Sequence, residues 1–160
     1  MPKQVLLIIG ALLLLSQISL NVNKSTLDMY DVSYDNEALL TATNIAESIL
    51  QEVAAKPFDE NVIGKSVSNP DTLTSPLLLG PEYGEEYPSF DDVDDYNGHV
   101  RTISSGRLGN FTVTVSVCYT TRALLGNCSS SRTFLKKVAV EVSGNPKMKN
   151  SVSASSIVAY

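Results

Sequence analysis

At 160 residues the chain suits one domain, with little room for two. A net charge of −5 and a pI near 4.8 exclude nucleic acid as a partner, because neutralising phosphates needs clustered Lys and Arg. Apolar residues make up 43% and charged residues 18%, enough for a packed core, but the apolar residues crowd towards one end.

Val5 to Leu15 is an unbroken run of eleven apolar or glycine residues: Val5, Leu6, Leu7, Ile8, Ile9, Gly10, Ala11, Leu12, Leu13, Leu14 and Leu15. Ile18 and Leu20 extend it past Ser16, Gln17 and Ser19. Three readings compete. A secretory signal peptide fits Lys3 and the length of the apolar core, but Ser16-Gln17-Ile18 and Gln17-Ile18-Ser19 make poor small-x-small cleavage sites. A buried helix of a soluble domain would need apolar neighbours all round. We read the segment as a membrane-compatible helix that stays on the mature chain. Sixteen helical residues span roughly 24 Å, short of a ~30 Å hydrocarbon core, and thinning or snorkelling accommodates the difference.

Asn21, Val22, Asn23, Lys24 and Ser25 are weak helix formers, where the helix is expected to loosen. From Thr26 to Lys56 there is neither Gly nor Pro. Leu39, Ala42, Ala46, Ile49 and Val53 follow a 3-4 spacing that marks one helix face, widened by Ile45 and Leu50. Pro57 ends the segment. Residues 57–98, with Pro57, Pro70, Pro76, Pro81 and Pro88, predict an irregular loop docked by Leu77, Leu78 and Leu79. After a strand from Val100 to Ile103 and a turn over Arg107–Asn110, Phe111, Val113, Val115 and Val117 alternate with polar residues. So do Val138, Val140 and Val142. Gly144-Asn145-Pro146 turns the chain into a last strand over Ser151–Tyr160. The predicted organisation is an apolar helical segment over 1–25 and a globular head over 26–160. The head divides into an amphipathic helix (26–56), the loop (57–98) and an antiparallel sheet (99–160), an α+β fold. The sheet should lay its valine face on the Leu39–Val53 stripe and leave the apolar segment bare. Such surface rests in lipid or against identical helices.

Cys118 and Cys128, ten positions apart, predict one disulfide in a domain held outside the cytoplasm. Cys118 falls on the polar side of its strand. Enzyme chemistry is poorly supplied. The one histidine, His99, sits beside Gly98 at a strand start, and phosphate-loop, dinucleotide and helical zinc motifs are absent. Asp91, Asp92, Asp94, Asp95 and Asn97 read either as a solvated acidic loop or as hard oxygen ligands for calcium, with Gly98 permitting the turn. No other cofactor is expected.

The order of apolar helix, amphipathic helix, variable loop and antiparallel sheet resembles type IV pilins and the pseudopilins of type II secretion. Ala42-Thr-Asn-Ile-Ala-Glu-Ser-Ile-Leu-Gln-Glu-Val-Ala-Ala-Lys-Pro-Phe-Asp59 is similar to the corresponding helix end in minor pilins. Phe90-Asp-Asp-Val-Asp-Asp-Tyr-Asn-Gly98 resembles a stretch in minor pilins of the mannose-sensitive haemagglutinin type. The chain lacks the family's processing signature, Gly followed by Phe-Thr-Leu-Ile-Glu, and carries Val5 where mature members have glutamate. The resemblance implies a non-enzymatic subunit, held in the inner membrane before assembly. It would then polymerise with copies of itself, and with other pilins, into an extracellular filament. Val5, Leu6, Leu7, Ile8, Ile9, Leu12, Leu13, Leu14, Leu15, Ile18 and Leu20 would form the assembly core. The resemblance also raises the expectation of calcium, which pseudopilins hold in a C-terminal loop. The alternatives are a pseudopilin of a secretion system and a secreted or membrane-anchored binding domain.

Overall fold

Good helix formers and the absence of any proline between Pro2 and Pro57 give a single helix, α1, over Pro2–Ala54. The structure is a computed structural model that describes residues 2–146, 148 and 150–160. α1 does not loosen at Asn21–Ser25: five indifferent residues cost too little to open a helix that good formers continue on both sides. It closes with Ala55 N–H donating to Gln51 O (3.1 Å) and Lys56 N–H to Val53 O (3.1 Å), just before the proline. Two compact units divide the chain, one through Glu37 and the other Ala38–Tyr160.

In the second unit, four strands follow the loop: β1 (Val100–Ser105), β2 (Gly109–Tyr119), β3 (Leu135–Ser143) and β4 (Val152–Ala159). They lie in the order β1-β2-β3-β4, every neighbouring pair antiparallel. This is the α+β arrangement expected from the alternation. The central register sets Val113 against Val142, Val115 against Val140 and Val117 against Val138. β-branched pairs across a ladder fill the pleat well, and all six are buried. Gly144 turns the chain out of β3 with φ +78°, and a Cβ there would sit 2.9 Å from Thr112 Oγ1, so only glycine fits without strain.

The valine face packs on α1 through Ala38, Ala42, Ala46, Ile49, Leu50 and Val53. The buried stripe begins at Ala38. Leu39, expected to lead it, is 49% exposed. A 3.6-residue period starting from Val53 leads back through Ala46 and Ala42 to Ala38, so hydrophobicity alone pointed one residue too far.

The loop over 57–98 is irregular, as expected, apart from short 3-10 turns at Glu60–Val62, Pro70–Thr72 and Asp94–Tyr96. Of the three leucines expected to dock it, Leu79 packs half-buried on the core, but the other two do not. Leu77 and Leu78 are 93% and 73% exposed. Phe58, Val62 and Leu73 pack with Tyr119 instead, and Phe90, Val93 and Tyr96 join the main core. Aromatic side chains bury more area than leucine and also bring polar ends that find partners. At the far end, Tyr160 donates its hydroxyl to Lys65 O at 2.6 Å and stacks on Phe134 at 5.5 Å.

Cys118 and Cys128 form the expected disulfide, with Cys118 on the outward side of β2. It closes a loop of about ten residues and should contribute ~2–3 kcal/mol. The double variant Cys118→Ser, Cys128→Ser is expected to lose that amount in denaturant titrations. An unchanged midpoint would remove the bridge from the stability of the head.

Candidate functional site

The apolar run lies in the first unit, wholly helical. Its large residues from Val5 to Leu20 are between 52% and 74% exposed. Consecutive positions advance 100° around a helix, so the run shows no polar face. An eighteen-residue window there has a mean hydropathy of 2.3 and no buried residue. The helix is therefore long and apolar enough to cross a membrane.

In the head, the acidic run over 91–97 is no solvated loop. Asp92, Asp94 and Asp95 are buried, whereas Asp91 is exposed. The Asp92 carboxylate accepts from the backbone N–H of Glu60 (2.6 Å), Asp94 (2.8 Å) and Asp95 (3.3 Å). Asp95 Oδ2 accepts from Asp91 N–H (2.9 Å) and Asp92 N–H (3.0 Å). Asn97 accepts from Val117 N–H (3.0 Å) and donates to Leu79 O (2.9 Å). These side chains satisfy backbone donors of a buried, irregular segment, which no ladder would otherwise serve. A cation bound by the run would have to compete with those donors. Among the described residues, one carboxylate grouping has oxygens within 4.8 Å of one another: Glu82, Glu85 and Asp95. Within it, burial and then a side-chain hydrogen bond to Glu85 push the Glu82 carboxyl up to about 7.

Sequence reasoning missed the most deeply buried charge. Lys136 on β3 is fully buried. Its ammonium contacts Asp94 Oδ1 directly, donates to Phe58 O at 2.5 Å and lies 3.5 Å from Asp59 Oδ2. The rings of Phe58 and Tyr119 flank it, at 4.6 Å and 5.5 Å from Nζ to the centroids. Asp59, also fully buried, accepts from Asn61 N–H (3.1 Å) and Thr74 N–H (2.7 Å). Tyr119 donates its hydroxyl to Thr74 O at 2.7 Å. A signal was available: Lys136 is in phase with Val138, Val140 and Val142, so the alternation points it inward. A charge placed inward demands carboxylate partners.

His99 belongs to an aromatic wall. It stacks on Tyr87 at 5.1 Å and meets Phe90 edge-on at 5.2 Å. Arg101 lies 4.7 Å over the Tyr87 ring and 3.6 Å from Glu52. Burial, then the Arg101 charge, hold the imidazole below its ordinary value, so it is neutral near pH 7. Tyr87, Phe90 and His99, with Glu85, Glu86 and Asp95, line an open groove of about 390 Å³.

Comparison with family models, with curated proteins and with solved structures gives no match for this chain.

Removing the Lys136 amine would strand buried carboxylates. Lys136→Met should therefore cost about 3–5 kcal/mol of head stability, read by chemical denaturation; a loss below ~1 kcal/mol would show the cluster to be energetically idle. A second expectation concerns pH. Burial, then the neighbouring Asp94 carboxylate, push the Asp92 carboxyl up to about 8, outweighing its three backbone donors. A carboxyl whose folded value exceeds its unfolded one, near 3.9, binds its proton more tightly when folded. Its contribution is present at low pH and lost as pH rises towards 8. Stability should therefore increase from pH 8.5 to pH 6.5, and Asp92→Asn should flatten that slope. A wild-type slope of opposite sign would refute the assignment.

Proposed function

We propose that the chain is a structural subunit that assembles through its N-terminal helix into an extracellular filament of the type IV pilus kind, held in the inner membrane before assembly. One observation carries this reading: a helix apolar on every side and exposed from Val5 to Leu20. Water is a poor environment for such a surface. Burying ~1000 Å² of it amounts to ~25 kcal/mol before the costs of association. Lipid and neighbouring copies of the same helix are the two surroundings that recover it.

Lipid comes first in this order of events. Between Lys3 and Lys24 the chain carries no charge over twenty residues, about 30 Å of helix, the thickness of a hydrocarbon core. The lysines at either end extend their amines to the two headgroup layers. The disulfide at the other end of the chain suits a head outside the reducing cytoplasm. Within a filament, the same helices pack side by side and the heads face solvent. The head supports a structural role, because Asp59, Asp92, Asp95 and Lys136 are engaged in holding its own loop.

The experiment is electron microscopy of the purified full-length chain beside Leu13→Asp. The reading expects filaments from the wild type and none from the variant, with the variant head keeping its cooperative unfolding transition. Filaments from Leu13→Asp would show that the helix is not the polymer core. A wild type that stays a dispersed, detergent-free monomer would refute the reading outright. A wild type that inserts into vesicles without ever forming fibres would replace it with a membrane-anchored head.

A further inference from the structure

The cluster around Lys136 holds an amine and a carboxylate in direct contact, sealed from water, with a second carboxylate beside the same amine. We propose that Lys136 Nζ condenses with the Asp94 side chain to form an intramolecular isopeptide bond, with Asp59 carrying the protons. The inference is independent of filament formation, since it concerns the head alone.

Three features carry it. The first is proximity. Asp94 Oδ1 touches Lys136 Nζ, and both side chains are essentially fully buried. Holding two reactants in contact removes the entropic cost that makes amide formation from a free amine and acid slow. The second is desolvation. The rings of Phe58 and Tyr119 flank the amine, so the water that would favour hydrolysis is kept away. The product also removes an ammonium and a carboxylate from an interior that holds both at a cost. The third is the independence of Asp59. It accepts from Asn61 N–H and Thr74 N–H and so keeps partners once the ammonium is gone. The amide N–H that remains still has Phe58 O as its acceptor, now at 2.5 Å from Nζ.

The step balances. Asp59 carries one proton from the Lys136 ammonium to Asp94, and the freed amine attacks Cγ of the neutral carboxyl. A C–N bond forms, Asp59 carries a second proton from that nitrogen to the hydroxyl, one C–O bond breaks and one water leaves. Asp59 ends ionised, as it began, and nothing is oxidised or reduced. The bond would join the turn at Asp94–Tyr96 to β3, closing a ring around the disulfide loop. A head stapled in this way resists unfolding where a non-covalent loop would peel from the sheet.

The test is mass spectrometry of the full-length chain, unfolded and with its disulfide reduced. The expected result is a mass lower than the sequence by one water. Proteolysis should yield a branched peptide containing Asp94 and Lys136, and Lys136 should resist amine-directed acetylation in the unfolded protein. Lys136→Arg keeps the positive charge but cannot form the amide and should show the full mass. Asp59→Asn, if its circular dichroism matches the wild type, should retain most of its chains uncondensed. A wild type with the full sequence mass and an acetylated Lys136 overturns the proposal, whatever the variants do. Loss of water that persists in Lys136→Arg overturns it too, because the dehydration would then lie elsewhere. Complete condensation in Asp59→Asn would overturn the assigned proton carrier.

Discussion

A positive charge buried among aromatic rings has to be answered, and the answer organises the head. Lys136 lies 42 residues from Asp94 and 78 from Phe58 in sequence. Its ammonium gathers the start of the loop, the acidic turn and β3 at one point. The loop over 57–98 has few ladder hydrogen bonds of its own, so it needs such a fastening. Phe58 and Tyr119 enclose the amine with carbon, while Asp59 and Asp94 neutralise it. Acidic residues left over, Asp92 and Asp95, serve the backbone donors of the turn. The buried carboxylates of the run are thus explained by two jobs, balancing one amine and capping an irregular segment. This is the same economy that caps a helix, applied where no helix exists.

The first unit poses the opposite problem. There, no interior covers an apolar helix, and every large side chain from Val5 to Leu20 stays open. The head reaches a self-consistent structure because its valines and alanines find each other within the chain. The helix has no intramolecular partner of that kind among the described residues. Its energetics point outward, to lipid or to other molecules. The head's groove beside Tyr87 and His99 is walled by rings that already pack on one another.

Much of the fold was legible because it depends on local periodicity. Strand alternation placed Val113, Val115 and Val117 on one side of β2, and Pro57 ended α1 within three residues of the predicted position. The disulfide followed from an even cysteine count beside a membrane-directed segment. Where local rules misled, the reason is physical. Leu39 is more hydrophobic than Ala38, yet the helix phase turns Ala38 onto the valine face and leaves Leu39 half exposed. Leu77 and Leu78 resemble anchors, but a proline-flanked turn holds them outward and leaves the docking to Phe58 and Phe90. The acidic run read first as a solvated loop and second as an ion site, because composition does not say which donors a carboxylate will meet.

The sequence by itself determined an apolar N-terminal helix, an amphipathic continuation, a four-stranded antiparallel sheet and a single disulfide. Each of these is written in spacing over a few residues, where helix and strand periods leave their mark. Only the tertiary structure decided that Lys136, Asp59 and Asp94 converge, and that the helix stays unbroken through Asn21–Ser25. Contacts between residues 42 or more positions apart arise from how whole elements pack. No pattern along the chain encodes that packing directly, although an inward-phased lysine announces that a partner must exist.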